Sequence, residues 1–329
     1  MFPLVVPNKF EKDNFSGIKR ELKEEGYCVI KNLADSEEVS EIKKLFRQDL
    51  EQITPYFDNF WQLPLEDQPT DNSLGLTGLN GIVQGEACWR VRTNSDIQEI
   101  FKAILDTPKL VCSMDSIGFS NDIDSSEPPR NWLHIDQISG IKGSNLDSYQ
   151  AILYCTDVSG ESATTVVVPQ SHKSWSILSS DVMAKRHFHI ISPNHHLSPR
   201  LNNEAIRLKL SSGDLLIWNS KLVHQGWQGK HRLCFMVSYG RKSDRFYEEY
   251  HRKLLIYLYG YRTTHWSQYG EFNGCKTSAA RAHLKFLKPK YQIEPPEDYY
   301  KMNIFEQHSH SLDINKIESF IPPERLKLL

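Results

Sequence analysis

A histidine and an aspartate stand two residues apart in Asn131-Trp132-Leu133-His134-Ile135-Asp136-Gln137, a short run of extended character. Successive side chains of a strand point to opposite faces, so His134 and Asp136 share one face and Ile135 takes the other. One imidazole nitrogen and one carboxylate oxygen on a common face are two of the three donors of a two-histidine, one-carboxylate facial set. That set holds ferrous iron and leaves coordination positions open. An H-x-D pair is common in proteins, so it carries weight only with a third donor.

The best candidate for the third donor is His224. The run Gly213-Asp214-Leu215-Leu216-Ile217-Trp218 reads as a strand that passes into a loop ending at His224. A polar connection containing Gly226 and Gly229 follows, and Arg232 opens another apolar run, 233–239. Two apolar runs joined by a short glycine-bearing connection read as a hairpin, which would place Arg232 on the strand beside the one that delivers His224. Arg232 supplies a reason for open metal positions. A dicarboxylic co-substrate such as 2-oxoglutarate, chelating iron at one end, needs a buried cation for its distal carboxylate. The planar, permanently ionised guanidinium suits that role.

The elements that must position these residues follow from periodicity. A short helix capped by Ser16 and ending near Gly26 precedes an apolar strand at 27–30, and Asp35-x-x-Glu38 opens a second helix as a capping box. The Pro-, Gly- and Asp-bearing stretch 63–80 reads as a loop. From 83 to 239 the pattern becomes short β-type runs at 87–91, 110–119, 132–135, 149–156, 164–168, 188–191, 206–210, 214–218 and 233–239, interrupted by helices near 97–103 and 180–184. Helix returns over 248–259. The predicted fold is mainly β with flanking helices. It is a jelly-roll core over 83–241, with an N-terminal decoration over 1–82 and a C-terminal helical extension over 242–329, all in one domain.

Composition narrows the function. Lys and Arg total 39 against 41 Asp and Glu, a net charge of −2, so no global basic field favours nucleic acid or a membrane surface. The run 276–290 carries five basic residues and no acid, and reads as a solvated helix face. The six cysteines are dispersed without any C-x-x-C and read as reduced, buried thiols. The first ten residues lack the pattern of a signal peptide, and no run approaches the roughly 18 apolar residues of a membrane span. A cytoplasmic protein is expected.

Several pieces, in order, resemble the phytanoyl-CoA dioxygenase family of Fe(II)/2-oxoglutarate oxygenases. They are Gly26-Tyr27-Cys28-Val29-Ile30, Trp132-Leu133-His134-Ile135-Asp136-Gln137, Tyr149-Gln150-Ala151-Ile152-Leu153-Tyr154, Thr164-Thr165-Val166-Val167-Val168-Pro169-Gln170-Ser171-His172-Lys173, the strand leading to His224, and Arg232. The resemblance implies a double-stranded β-helix in which His134, Asp136 and His224 hold iron and Arg232 grips 2-oxoglutarate. It implies O2-dependent hydroxylation of a small organic molecule with release of succinate and CO2. Two departures stand out. Gln170 occupies a position where the family often has Gly. Arg232 lies eight residues past His224, where the family commonly has about eleven. Arg241, at the end of the same strand, is the reserve for Arg232.

Ser116 and Gln150 fall on strands that should border the cavity, as contacts to 2-oxoglutarate or to a ligand side chain. Trp132 shares the face of His134. His172 reads as a turn residue, since an open iron site has no room for a fourth protein donor. The pairs His187/His189, His195/His196 and His308/His310 have no carboxylate in an equivalent pattern and read as ordinary histidines. Asp136 speaks against halogen transfer, which needs that position free for halide. Two other functions stay open: a silent jelly roll that binds a ligand, and an oxygenase of nucleic-acid bases, whose support is the 276–290 run.

Overall fold

The computed structural model describes residues 2–53, 76–77, 79–120, 131–139, 145–180, 188–260, 262–268 and 314–329. The strands are β1 (Leu4–Val5), β2 (Lys9–Phe10), β3 (Tyr27–Ile30), β4 (Leu76–Thr77), β5 (Leu110–Cys112), β6 (Ile117–Ser120), β7 (His134–Ile135), β8 (Tyr149–Tyr154), β9 (Thr164–Val167), β10 (His189–Ile190), β11 (Ile206–Leu208), β12 (Leu215–Asn219), β13 (His224–Trp227) and β14 (Arg232–Arg241). The helices are α1 (Phe15–Glu24), α2 (Ser36–Ile53), α3 (Glu86–Arg92), α4 (Ser95–Leu105), α5 (Trp175–Ser180), α6 (Ser198–Glu204) and α7 (Tyr247–Tyr259), followed by two short helices at Ile314–Ser319 and Pro323–Leu326. The chain forms two compact units, one of Met1–Ser36 with Phe119–Cys234 and one of Glu37–Gly118 with Phe235–Leu329.

The first unit is a pair of sheets. One has the order β1-β11-β9-β13-β7-β10, and the other runs β2-β3-β12-β8 and then meets the opening residues of β14. Alternation along the strands explains the layering. Leu133, Ile135, Val166, Val168, Ile191 and Val223 form the outward face of the first sheet and pack with Leu178 and Leu201. The residues between them, His134, Thr165, Val167 and His224, therefore take the opposite face. Across the gap, the Tyr154 hydroxyl and Thr165 Oγ1 lie 2.8 Å apart.

The entry to β12 is locked by Asp214 and Gly213. The Asp214 carboxylate accepts from Lys9 Nζ at 2.6 Å, Asn32 N at 3.1 Å and Ser211 N at 2.7 Å. Gly213 has φ +93°, and a Cβ there would stand 2.1 Å from the Ala34 carbonyl oxygen. Gly213→Ala combines backbone strain with a clash against main chain. It is expected to lower unfolding free energy by about 3 kcal/mol or more, read from the urea midpoint.

Several expectations need correction. Residues 87–91 are helical, within α3. The cap comes from far away: the Asp49 carboxylate, on α2, accepts from the backbone N–H groups of Glu86 and Ala87 at 3.0 and 2.9 Å. Residues 110–119 are two strands, because Met114 leaves the ladder to exchange hydrogen bonds with Thr263. Asn14 caps α1 in place of Ser16, its Oδ1 accepting from Gly17 N at 3.0 Å. Helix α5 ends at Ser180, and the helix expected near 180–184 otherwise lies outside the described residues, as do the 276–290 run and residues 63–75 and 78 of the expected 63–80 loop, whose residues 76–77 form β4. Cys28, Cys88, Cys112, Cys155 and Cys234 are buried, as expected, and form no disulfide. Among the described residues, no helix is long and apolar enough to cross a membrane.

In the second unit, the later part of β14 pairs with β5, and β4 pairs with β6. Lys253 of α7 is fully buried and donates to the carbonyls of Cys112 and Ser267. Burial pushes its amine down to about 7, although Cys112 acts the other way. The unfolded chain keeps that proton up to about pH 10.4. Between pH 7 and 10 the unfolded state therefore binds more protons, and stability must rise with pH. Wild type should gain on the order of 4 kcal/mol relative to Lys253→Met across that window, read by denaturant unfolding at several pH values.

Candidate metal centre

His134 and His224 are direct cross-strand partners on β7 and β13. Asp136 follows β7, where the chain has already bent away from the sheet. Its backbone N–H and that of Gln137 both donate to the Ser220 carbonyl at 3.0 Å. This fork ties the segment carrying His134 and Asp136 to the turn that leads to His224. His134 Nε2 lies 3.5 Å from Asp136 Oδ1, and His224 Nε2 lies 3.2 Å from Asp136 Oδ2. The three side chains are buried, and one donor atom from each lies within 4.8 Å of the others. Among the described residues, no other group of three such side chains converges in this way.

The two imidazoles are set in the tautomer that metal binding requires. His134 Nδ1 is 3.1 Å from the Trp132 carbonyl and His224 Nδ1 is 2.9 Å from the Leu222 carbonyl. A carbonyl only accepts, so each Nδ1 carries a proton, and in the neutral imidazole Nε2 then keeps its lone pair. Gln150 Nε2 donates to Asp136 Oδ2 at 2.8 Å and to Ser220 Oγ at 3.3 Å. Gln150 thus orients the carboxylate. The Trp132 indole stacks on His134, with centroids 4.4 Å apart and planes 10° apart, and its Nε1 donates to the Gly226 carbonyl at 3.1 Å.

Arg232 is buried, at 5% exposure. Its Nε donates to Cys234 Sγ at 3.1 Å, and its guanidinium lies 5.8 Å from the centre of the Tyr154 ring. Among the described residues it makes no ion pair. A Cβ on Gly226 would meet Trp132 Cζ2 at 3.5 Å and Arg232 Nη1 at 4.0 Å. The space beside Gly226 thus joins the wall next to His134 to the arginine.

The expected hairpin does not form. β13 lies between β9 and β7, while β14 neighbours β8 in the other sheet. Residues 228–231 cross from one sheet to the other, and Gly229 lies so close to the backbone of residues 161–163 that a Cβ would stand 2.5 Å from three of its atoms. That close approach steers the chain onto β8. Arg232 therefore belongs to the opposing sheet and not to a strand adjacent to His224.

The other candidates have distinct placements. Ser116 belongs to the second unit, where its hydroxyl accepts from Arg262 Nη1 at 2.8 Å. Arg241 is also there, donating through Nε to the Leu105 carbonyl at 2.7 Å. His172 Nε2 donates to the Lys23 carbonyl at 3.0 Å, which fits a turn residue. Its neighbour Ser171 accepts from Val223 N at 2.8 Å and so steadies the approach to His224. Gln170 adopts φ +64°, the left-handed conformation that glycine takes without strain. His195 and His196 stack on each other; His187, His308 and His310 lie outside the described residues. Sequence reasoning missed Tyr154, Cys234 and Gly226. Two of them carried a signal: Tyr154 shares the strand face of Gln150, and Gly226 that of His224.

The family model for phytanoyl-CoA dioxygenase (PhyH) matches residues 22–230, which spans both ligand segments. The chain belongs to the PhyH family. The PhyH family comprises 2-oxoglutarate-dependent non-haem oxygenases, and this PhyH protein is one of them. Among solved structures it is similar to the epimerase SnoN in complex with Fe3+, alpha-ketoglutarate and nogalamycin RO. The TM-score is 0.52 at 15% identity, over 69% of this chain and 84% of that one. It is also similar to EctD from S. alaskensis with bound Fe, with a TM-score of 0.51 at 13% identity, over 74% and 83% of the two chains. These likenesses establish the jelly-roll fold. No match was found among curated proteins.

Proposed function

We propose that the protein binds Fe(II) through His134, Asp136 and His224 and 2-oxoglutarate through Arg232, and hydroxylates a small organic molecule. The observation that carries this reading is the convergence of two Nε2 lone pairs and one carboxylate on a single point, with both tautomers fixed by backbone carbonyls. Three protein donors suit a metal that keeps positions for other ligands. The space beside Gly226 and the buried guanidinium next to it fit a dicarboxylate that reaches from the metal to Arg232. A cytoplasmic location is part of the proposal.

Iron with 2-oxoglutarate supplies the activation of dioxygen, coupling decarboxylation to succinate and CO2 with insertion of one oxygen atom into a substrate C–H bond. The chain's own residues set the geometry. Trp132 and Leu222 hold the imidazoles, Gln150 holds the carboxylate, and Tyr154 with Cys234 hold the arginine. Asp136 contributes the negative charge that offsets the metal's.

Anaerobic calorimetry tests the reading directly. Fe(II) is expected to bind, and 2-oxoglutarate to bind tightly only afterwards. Mn(II) or Co(II) should raise the thermal midpoint, because each stabilises the folded chain alone. A protein that binds neither metal nor 2-oxoglutarate would be a silent jelly roll.

A further inference from the structure

The strand at the edge of the first sheet carries a feature that metal binding does not explain. β10 pairs antiparallel with β7, placing Ile190 opposite His134 and His189 opposite Ile135. Cross-strand partners share a face, and so do residues two apart on one strand. Ile190 and Phe188 therefore lie on the face of His134, while Ile191 turns to the apolar cluster behind the sheet. The Phe188 ring stands edge-on to His134, with centroids 5.8 Å apart. Yet Phe188 is 36% exposed and Ile190 47%. An inner face of a jelly roll is normally core. Here β10 is the terminal strand of the sheet, so its inner-face residues form a rim beside the metal ligands.

Large apolar side chains left in water beside a reaction centre favour a ligand that covers them. Trp132, half-buried and stacked on His134, extends the same surface. Along residues 132–135 and 188–190 the side chains on this face are Trp132, His134, Ile190 and Phe188, none of which carries a fixed charge. Resting on the oxygenase reading, we infer that Phe188 and Ile190 are specificity-determining residues that bind an apolar portion of the primary substrate, an aliphatic chain or carbocycle, next to the carbon that is oxidised. A zwitterionic osmolyte or a sugar would gain nothing from this wall and would lose hydration against it.

The test is calorimetry on the protein loaded with Fe(II) and 2-oxoglutarate under argon, using hexanol, heptanol and octanol as probes and glycine betaine and glucose as polar comparators. Affinity should rise about 3- to 4-fold with each methylene, the value of a buried CH2, with no measurable binding of the comparators. Phe188→Ser/Ile190→Ser should weaken octanol at least tenfold and flatten the chain-length series. Phe246→Ser, which removes an exposed phenylalanine of the second unit, should change nothing. Both rim side chains are exposed, and Fe(II) binding by the double variant checks that the ligand set is intact. Wild-type octanol affinity in the double variant, or tighter binding of a polar comparator, overturns the inference. If wild type binds alkanols in series but neither Fe(II) nor 2-oxoglutarate, the oxygenase reading falls and the apolar wall stands. If both bind and the series is flat, the wall alone falls.

Discussion

Asp136→Ala protein should form no succinate above background, a loss of at least ~1,000-fold, or about 4 kcal/mol of transition-state stabilisation. The carboxylate is the sole anionic donor of the set, and both imidazoles aim Nε2 at it. Its removal leaves two neutral donors and weakens metal binding before any chemistry begins. The fold should survive. Gln150 loses its acceptor on Asp136 but keeps the Ser220 hydroxyl, and the backbone fork onto the Ser220 carbonyl needs no side chain. Two readouts check this: 2-oxoglutarate turnover, and the rise in thermal midpoint caused by Mn(II), which should vanish in the variant. Normal turnover by Asp136→Ala would end the metal assignment.

Arg232→Met is the second large effect. The KM for 2-oxoglutarate should rise at least ~100-fold, about 2.7 kcal/mol, because a buried carboxylate would be left without its cation. Arg232→Lys should recover only part of this. An ammonium cannot reproduce the two-pronged contact, nor can it keep the bond from Nε to Cys234 Sγ. Without co-substrate, Arg232→Met should be no less stable than wild type, since it replaces a buried cation that makes no ion pair among the described residues. Gly226→Val provides a complementary perturbation. A Cβ fits there, but γ-methyls would occupy the space shared by Trp132 and Arg232. The KM should rise about tenfold, or about 1.4 kcal/mol, with Mn(II) affinity unchanged. Steady-state kinetics over a range of 2-oxoglutarate concentrations decides each case.

The site was legible in the sequence where local spacing does the positioning. His134 and Asp136 are close in the chain, and the strand running toward His224 announced itself by its apolar run and its terminal polar loop. The placement of Arg232 was not legible, because sheet membership depends on Gly229 lying against residues 161–163. That contact has no local signature. The same holds for α3. Its residues alternate well enough for a strand, and what makes them helical is a carboxylate 37 positions upstream that satisfies the first backbone N–H groups. The apolar rim was hidden for a different reason. Phe188 and Ile190 look like ordinary core residues until β10 proves to be an edge strand. The run of short strands already pointed to a jelly roll, and the family resemblance implied the same fold, but strands so short and irregular do not reveal their order in the sheets by pattern alone.

The pairing of His134 with His224 also dictates when iron can arrive. The two proposed ligands are ninety positions apart (224 − 134 = 90) and meet only as neighbours on closed strands. A nascent or partly folded chain offers no more than the local pair of His134 and Asp136. Contacts between distant segments form late, after the loop entropy between them has been spent. Iron therefore cannot template folding as zinc does in small metal-organised domains. The chain must complete its sheets with three electron-rich donors crowded together and no cation among them. A protein made while iron is scarce should accumulate as folded, loadable apoenzyme.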